Sequence, residues 1–213
     1  MPNDLLIDEL VGDLRPVRPH NPVRQVAWLA VLAALELGGF AALGTVRPDL
    51  ASALDGAAFW WKVGGLASLA AIGVATALRS FDPVSSPRKN FRWWIGVAAV
   101  LLAAGWLIDL GNASPLGLAE RLQWRMGLQC LFTMTLLSLP PILALAIMMR
   151  RGAPTDRSAS ALATGAASAA WGAFIFAFHC PSDDPFYIAV WYSLGCGLVI
   201  LLSRTILPSV ARW

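Results

Sequence analysis

The sequence predicts an all-α, polytopic membrane protein: six transmembrane helices, preceded by a short amphipathic helix on the cytoplasmic side. Three observations predict it. Of 213 residues, 57% are hydrophobic and only 14% are charged, with ten tryptophans, and a soluble core of this size cannot absorb so much apolar surface. Six apolar runs recur along the chain, each near the roughly 20 residues that cross a ~30 Å hydrocarbon layer at about 1.5 Å per residue. Twelve of the 16 Lys and Arg residues fall on one side of the resulting topology, the asymmetry expected of cytoplasmic loops.

Residues 1–23 read as a separate region. Ile7, Leu10, Val11 and Leu14 stand at i, i+3, i+4 and i+7, one face of a helix, while Asp4, Asp8, Glu9 and Asp13 take other positions. Asn3 suits an N-cap, Asp4 favours the positive end of the helix dipole, and Pro16 and Pro19 end the helix. A helix of about twelve residues is marginal alone in water, so the apolar stripe needs a surface to cover it. A helix lying on a membrane carries Lys or Arg on its polar face, whereas this one is acidic. The stripe therefore points to a protein partner, with a fold-back onto the chain's own cytoplasmic loops as the alternative. The opening residues do not follow the basic-then-apolar order of a secretory signal peptide.

Residues 24–213 form the transmembrane domain, with spans expected at 26–46, 59–78, 93–110, 124–149, 158–178 and 187–207. One side receives Arg15, Arg18, Arg24, Arg79, Arg88, Lys89, Arg92, Arg150, Arg151, Arg157, Arg204 and Arg212. The other receives Arg47, Lys62, Arg121 and Arg125. Both termini are thus expected in the cytoplasm. Trp60, Trp61, Trp93, Trp94, Trp124 and Trp213 stand at predicted helix ends, where indole belts belong. Pro140 and Pro141 should bend the fourth span, and Ala161, Gly165, Ala169 and Ala173 give the fifth a small-residue face suited to close packing.

The polar loop 178–187 carries the candidate chemistry. Topology brings Cys180, at the outer end of the fifth span, near the level of Cys130, about 7 Å below Arg125 by helical rise. Two thiols facing an oxidising compartment can form a disulfide if their Cα atoms approach within about 7 Å. They can equally bind a soft metal, with His179, Asp183 or Asp184 as further ligands. The same residues also read as a simple helix end, with Pro181 as terminator, solvated aspartates and a packing cysteine. Cys196, near mid-membrane, reads as a small packing residue. Glu36 and Asp109 are acids within predicted spans, where a functional role and a structural one such as pairing with Lys62 both fit. With no CxxC pair among three cysteines, zinc-ribbon and thioredoxin-type chemistry is not expected, and the dispersed bases leave no nucleic-acid footprint.

The run "LIDELVGDLRPVRP" at 6–19, six apolar spans, a cysteine in the fourth and the loop "HCPSDDPFYIAVWY" at 179–192 resemble the NrsF-type integral membrane anti-sigma factors of bacterial inner membranes. The resemblance implies a non-enzymatic regulator without a cofactor. Its cytoplasmic segment would bind an extracytoplasmic-function sigma factor through Leu6, Ile7, Leu10, Val11, Leu14, Asp8 and Asp13. It also implies that Cys130 and Cys180 match the family's cysteine pair, associated with heavy-metal or oxidative stress, and that any metal there is transient. Cys196 has no counterpart in that pattern, and the His/Cys pattern of soluble zinc-binding anti-sigma factors is absent. Two readings from other classes are a membrane thiol oxidoreductase using Cys130 and Cys180, and a small proton-coupled transporter using Glu36 and Asp109.

Overall fold

A computed structural model describes Gly12 and residues 21–83, 85, 88–111 and 117–210. The predicted amphipathic helix with its face Leu6, Ile7, Leu10, Val11 and Leu14 lies outside the described residues, as does Trp213. The helices in chain order are α1 (Pro22–Ala42), α2 (Leu50–Ala53), α3 (Ala57–Ser80), α4 (Arg88–Gly111), α5 (Leu118–Leu122), α6 (Trp124–Leu137), α7 (Leu139–Arg151), α8 (Arg157–Ala177) and α9 (Pro185–Val210). Six helical segments are long and apolar enough to cross a membrane: Val23–Ala42, Ala57–Ser80, Asn90–Leu110, Ala119–Arg151, Arg157–Ala177 and Pro185–Ser209. The fourth consists chiefly of α6 and α7.

Local chemistry explains where these helices begin and break. Asn21 caps α1, its side chain accepting from Arg24 N at 3.1 Å, with Pro22 in the first turn. Asp156 caps α8 in the same way through Ala159 N at 3.0 Å. The first span ends at Ala42 and not at the predicted 46, because Gly44 adopts φ +66° and turns the chain away. At Ser138 the fourth span is interrupted as expected, since Pro140 and Pro141 bring no N–H to the ladder. The Ser138 hydroxyl donates to the Met134 carbonyl at 2.8 Å beside the break.

Helix α8 is the hub: 83% of its apolar stretch is buried, against 6% for α1 and for α4. The small residues predicted to face a neighbour do so on several sides. A Cβ on Gly172 would stand 2.3 Å from Ser138 Oγ and 2.6 Å from the Met134 carbonyl, so α8 packs on the α6–α7 break with no room for a side chain. From α3, a Cβ on Gly73 would stand 2.8 Å from Ala167 Cα. Two apolar clusters result. One gathers Phe59, Cys130, Phe176, Cys180, Tyr187 and Trp191 at the end bearing the Cys180 loop. The other gathers Leu29, Leu78, Phe81, Leu145, Met149 and Trp171 toward the opposite end. There the connections are tied together by Ser160 Oγ donating to Ser80 O at 3.1 Å and Ala153 N donating to Phe81 O at 3.1 Å.

Two tryptophans expected in an interfacial belt have a different task. Trp61 Nε1 donates to Leu101 O and Trp94 Nε1 to Leu69 O, each at 3.0 Å, and together they clamp α3 to α4. Trp60, Trp93 and Trp124 remain exposed, as a belt requires. The acids within the spans do not pair with Lys62. Glu36 accepts from Trp171 Nε1 at 2.5 Å, and Asp109 pairs with Arg121; Lys62 is held elsewhere.

Filling the contact at Gly172 forces the α6–α7 break away from α8, an overpacking cost of about 1–3 kcal/mol. Gly172→Val should therefore lower the thermal unfolding midpoint in detergent markedly. Gly96→Val, where an added Cβ meets nothing within 4 Å, should shift it little.

Candidate functional site: a closed thiol pair beneath an ion-pair lattice

The loop after α8 is shaped by its own residues. His179 N and Cys180 N both donate to Phe176 O, at 2.9 and 3.1 Å, closing the helix end, and Pro181 prevents its continuation. Pro185 opens α9, and Asp184 Oδ1 accepts from Phe186 N at 2.9 Å, a carboxylate at the positive end of a helix. Cys180 is thereby turned into the bundle.

Cys130 on α6 and Cys180 are both free and both buried, at 4% and 1% exposure. They lie in one apolar cluster. The structure thus brings together the two cysteines that the topology had placed at one level. Cys130 Sγ is 2.9 Å from the Tyr187 hydroxyl, and Cys180 Sγ donates to Ser182 O at 3.8 Å. Tyr192 packs in the same cluster as both cysteines. Cys196, half-buried on α9, packs against the edge of this cluster.

Above the thiols, cations from other loops converge on the Cys180 loop. Lys62 Nζ donates to Cys180 O at 3.2 Å, to Ser182 O at 3.0 Å and to Asp183 at 2.5 Å. Arg47 donates to Cys180 O at 3.2 Å and Pro181 O at 3.0 Å, and it pairs with Asp183 at 2.8 Å and Asp49 at 2.7 Å. The Arg47 backbone N–H also reaches Phe178 O at 3.0 Å. Arg121 joins Asp184 to Asp109 and stacks its guanidinium 5.1 Å above the Phe186 ring. His179 points away from the thiols: its Nδ1 meets the Thr45 carbonyl and its ring packs on Phe40 and Phe176.

The electrostatics follow from burial. The side chains of Lys62 and Arg47 are 0% and 3% exposed, so each charge depends on its carboxylate and carbonyl partners. The Arg47 guanidinium pulls the Asp49 carboxyl down to about 2. Burial works against the charge on Asp184, but hydrogen bonds from Arg121 and the Phe186 N–H outweigh it and leave that carboxyl below its ordinary value. The Cys180 thiol is held below its ordinary range by Cys130 first and the Lys62 ammonium next, against opposing burial. Among the described residues no group of three or more His, Cys, Asp or Glu side chains could hold a metal ion. His179, Asp183 and Asp184 are committed to protein partners, so two thiols are what this site offers a soft metal.

A family profile described as "Negative regulator of sigma F" (NrsF) matches residues 10–213. The chain belongs to this family. Similar proteins include the anti-sigma-F factor NrsF of Caulobacter vibrioides (strain NA1000 / CB15N), 35% identical over 208 residues that cover 92% of each chain. Another is the probable anti-sigma-F factor NrsF of Azospira oryzae (strain ATCC BAA-33 / DSM 13638 / PS), 29% identical over 175 residues, covering 81% of this chain and 80% of that one. No solved structure matches the chain. Family membership is that of negative regulators of a sigma factor, a regulatory class.

Sequence reasoning used Arg47 and Arg121 only to orient the helices, matched Lys62 to Glu36 and Asp109 instead of Asp183, and gave Tyr187 and Tyr192 no role of their own. One signal was present: the loop between the fifth and sixth spans holds two adjacent acids and no base. Acids next to apolar runs need cations from elsewhere, and few bases stand on that side.

Removing Asp183 strands a buried ammonium and a buried guanidinium together. Asp183→Ala should cost about 3 kcal/mol, read as a lowered unfolding midpoint in detergent, whereas Asp49→Ala should cost much less. Asp49 and Asp184 titrate lower in the folded state than in the unfolded chain. Their contribution is complete above the ordinary carboxyl range near pH 4 and is lost as pH falls through the folded values. The midpoint should therefore drop steeply below about pH 4, and Asp184→Asn should remove part of that drop.

Proposed function

We propose that this protein is an inner-membrane anti-sigma factor with both termini in the cytoplasm. In this reading residues 1–23 sequester an extracytoplasmic-function sigma factor, and residues 24–213 anchor it in the lipid bilayer and carry the signal. The apolar face Ile7, Leu10, Val11 and Leu14, with Leu6, covers the sigma factor, while Asp8 and Asp13 meet its basic residues. The Cys180 end of the bundle is periplasmic. A heavy metal or oxidant there changes the Cys130–Cys180 pair, by disulfide formation or coordination, and releases the sigma factor.

Family membership over residues 10–213 supports the regulatory half. The sensing half rests on one observation. The Cys180 loop is bonded through His179 to Thr45 and through Asp183 to Arg47, and the segment 45–49 follows closely on α1, the helix next to residues 1–23. A change at the thiols that displaces the Cys180 and Pro181 carbonyls pulls on Arg47, and through it on α1. Helix α1 is suited to respond, because it is largely unburied and is held in mid-span by the Glu36–Trp171 bond.

Magnitudes define what the relay must deliver. Taking a sigma factor from 1% to 99% free requires a differential of about 5.5 kcal/mol. One disulfide is worth about 2–4 kcal/mol of constraint, so loss of the lattice bonds must supply the rest. Co-purification from membranes tests both halves. The intact protein should retain a sigma factor, a form lacking residues 1–23 should lose it, and Cys130→Ser with Cys180→Ser should retain it even after metal or oxidant treatment. Retention by the deleted form would overturn the binding segment, and release from the double-serine form would overturn the thiol sensor.

A further inference from the structure

Helix α3 meets its two neighbours differently. Toward α8 its small residues close the helices together, as where Gly73 meets Ala167. Toward α1, alanines again stand on both walls, yet the walls enclose a cleft of about 450 Å³. It is bounded by Val26 to Ala33 on α1, by Ala67 to Leu78 on α3, and by Trp171 and Phe174 on α8, and every lining residue is aliphatic or aromatic. Trp171 Nε1 is already committed to Glu36, so the lining suits a hydrocarbon and offers a polar ligand nothing.

Depth and volume narrow the occupant further. Along α3 the cleft runs from Ala67 to Leu78, about 16 Å of helical rise, which is about half of a ~30 Å hydrocarbon layer. One end lies at Val26 and Leu78, close to where α1 begins and α3 ends. The other stops at Trp171, beneath its bond to Glu36 in mid-span. The cleft thus has the depth of a single leaflet. An apolar cavity of about 150 Å³ takes up the six carbons of benzene, so three times that volume holds about eighteen, one acyl chain.

The rim carries charge. Arg24 precedes Val26 on α1 and Arg79 follows Leu78 on α3, each within one turn of the cleft. Both are exposed, and neither has a carboxylate partner among the described residues. Arginine lays its apolar stem along the hydrocarbon and keeps its head at the interface, where the guanidinium fork matches a phosphate. We propose that this cleft binds one acyl chain of an anionic phospholipid, with the phosphate held at the rim by Arg24 and Arg79. The chain fills the space between α1 and the hub and braces α1 below the Glu36–Trp171 bond. With both termini cytoplasmic the lipid belongs to the inner leaflet, and the site itself does not depend on the thiol pair.

The test uses the full-length protein in phosphatidylcholine liposomes carrying a trace of phosphatidylglycerol with a diazirine in one chain. Illumination and peptide mass measurement locate the label, and α4, whose apolar stretch is 6% buried, reports contact with bulk lipid. Labelling of 26–33 and 67–78 should exceed that of α4. Added unlabelled phosphatidylglycerol should abolish it at a lipid fraction that leaves α4 labelling almost unchanged. Ala30→Phe with Ala71→Phe, at exposed positions on the two cleft walls, should cut cleft labelling about tenfold at an unchanged unfolding midpoint. Arg24→Gln with Arg79→Gln should abolish the preference over a phosphatidylcholine probe bearing the same chain. Cleft labelling that dilutes in step with α4, or that survives both phenylalanines, would overturn the site and leave only bulk lipid passing there. Equal, saturable labelling of the unaltered protein by the phosphatidylcholine probe would overturn the anionic headgroup. None of these readouts involves a cysteine, so either failure leaves the thiol sensor standing.

Discussion

The Cys180 end of this protein depends on one constraint: Lys62 and Arg47 are cations without water. Each must keep its charge among protein atoms, and they do so on the shared carboxylate of Asp183, on Asp49 for Arg47, and on the carbonyls of Cys180, Pro181 and Ser182. Those carbonyls belong to a loop that would otherwise be a flexible connection of prolines and polar residues. The demand of two buried cations for acceptors gives the loop a single conformation, and that conformation turns Cys180 inward to meet Cys130. Breaking such a lattice by removing one member is expensive because the remaining charges cannot be resolvated cheaply.

Helix α8 turns this local arrangement into a property of the whole bundle. Its small residues bring α3, α6, α7 and α9 to backbone distance, so displacement of its outer end cannot be absorbed by side chains giving way. Helices α1 and α4 are different. They ride on the outside with little burial, and α1 joins the predicted regulatory segment to the loop that Arg47 ties to Cys180. A rigid hub with a lightly held outer helix is a physically sensible layout for transmitting movement in one direction across a membrane.

Much was legible in the sequence because the bilayer imposes strong rules. Span number followed from run length, the break in the fourth span from Pro140 and Pro141, and the close packing of the fifth from its four-residue spacing of Ala and Gly. Each reflects an interaction that is local or periodic along one helix. Even the shared level of Cys130 and Cys180 needed only helical rise and topology. The pairing of acids with bases was a different matter. Lys62 is far nearer in the chain to Glu36 and Asp109 than to Asp183, which lies 121 positions away, and periodicity carries no information about which helix stands beside which.

By itself, then, the sequence determined the membrane class, the number and approximate positions of the six spans, and the family, all properties of single segments or of motifs that stand contiguous in the chain. The tertiary structure decided that Lys62 and Arg47 serve the Cys180 loop, that Trp61 and Trp94 clamp two helices instead of lining an interface, and that both thiols are buried in one apolar cluster. These are contacts between residues as many as 136 positions apart. They arise only when six helices choose their neighbours, and that choice is governed by the summed fit of small residues and buried charges across the whole bundle.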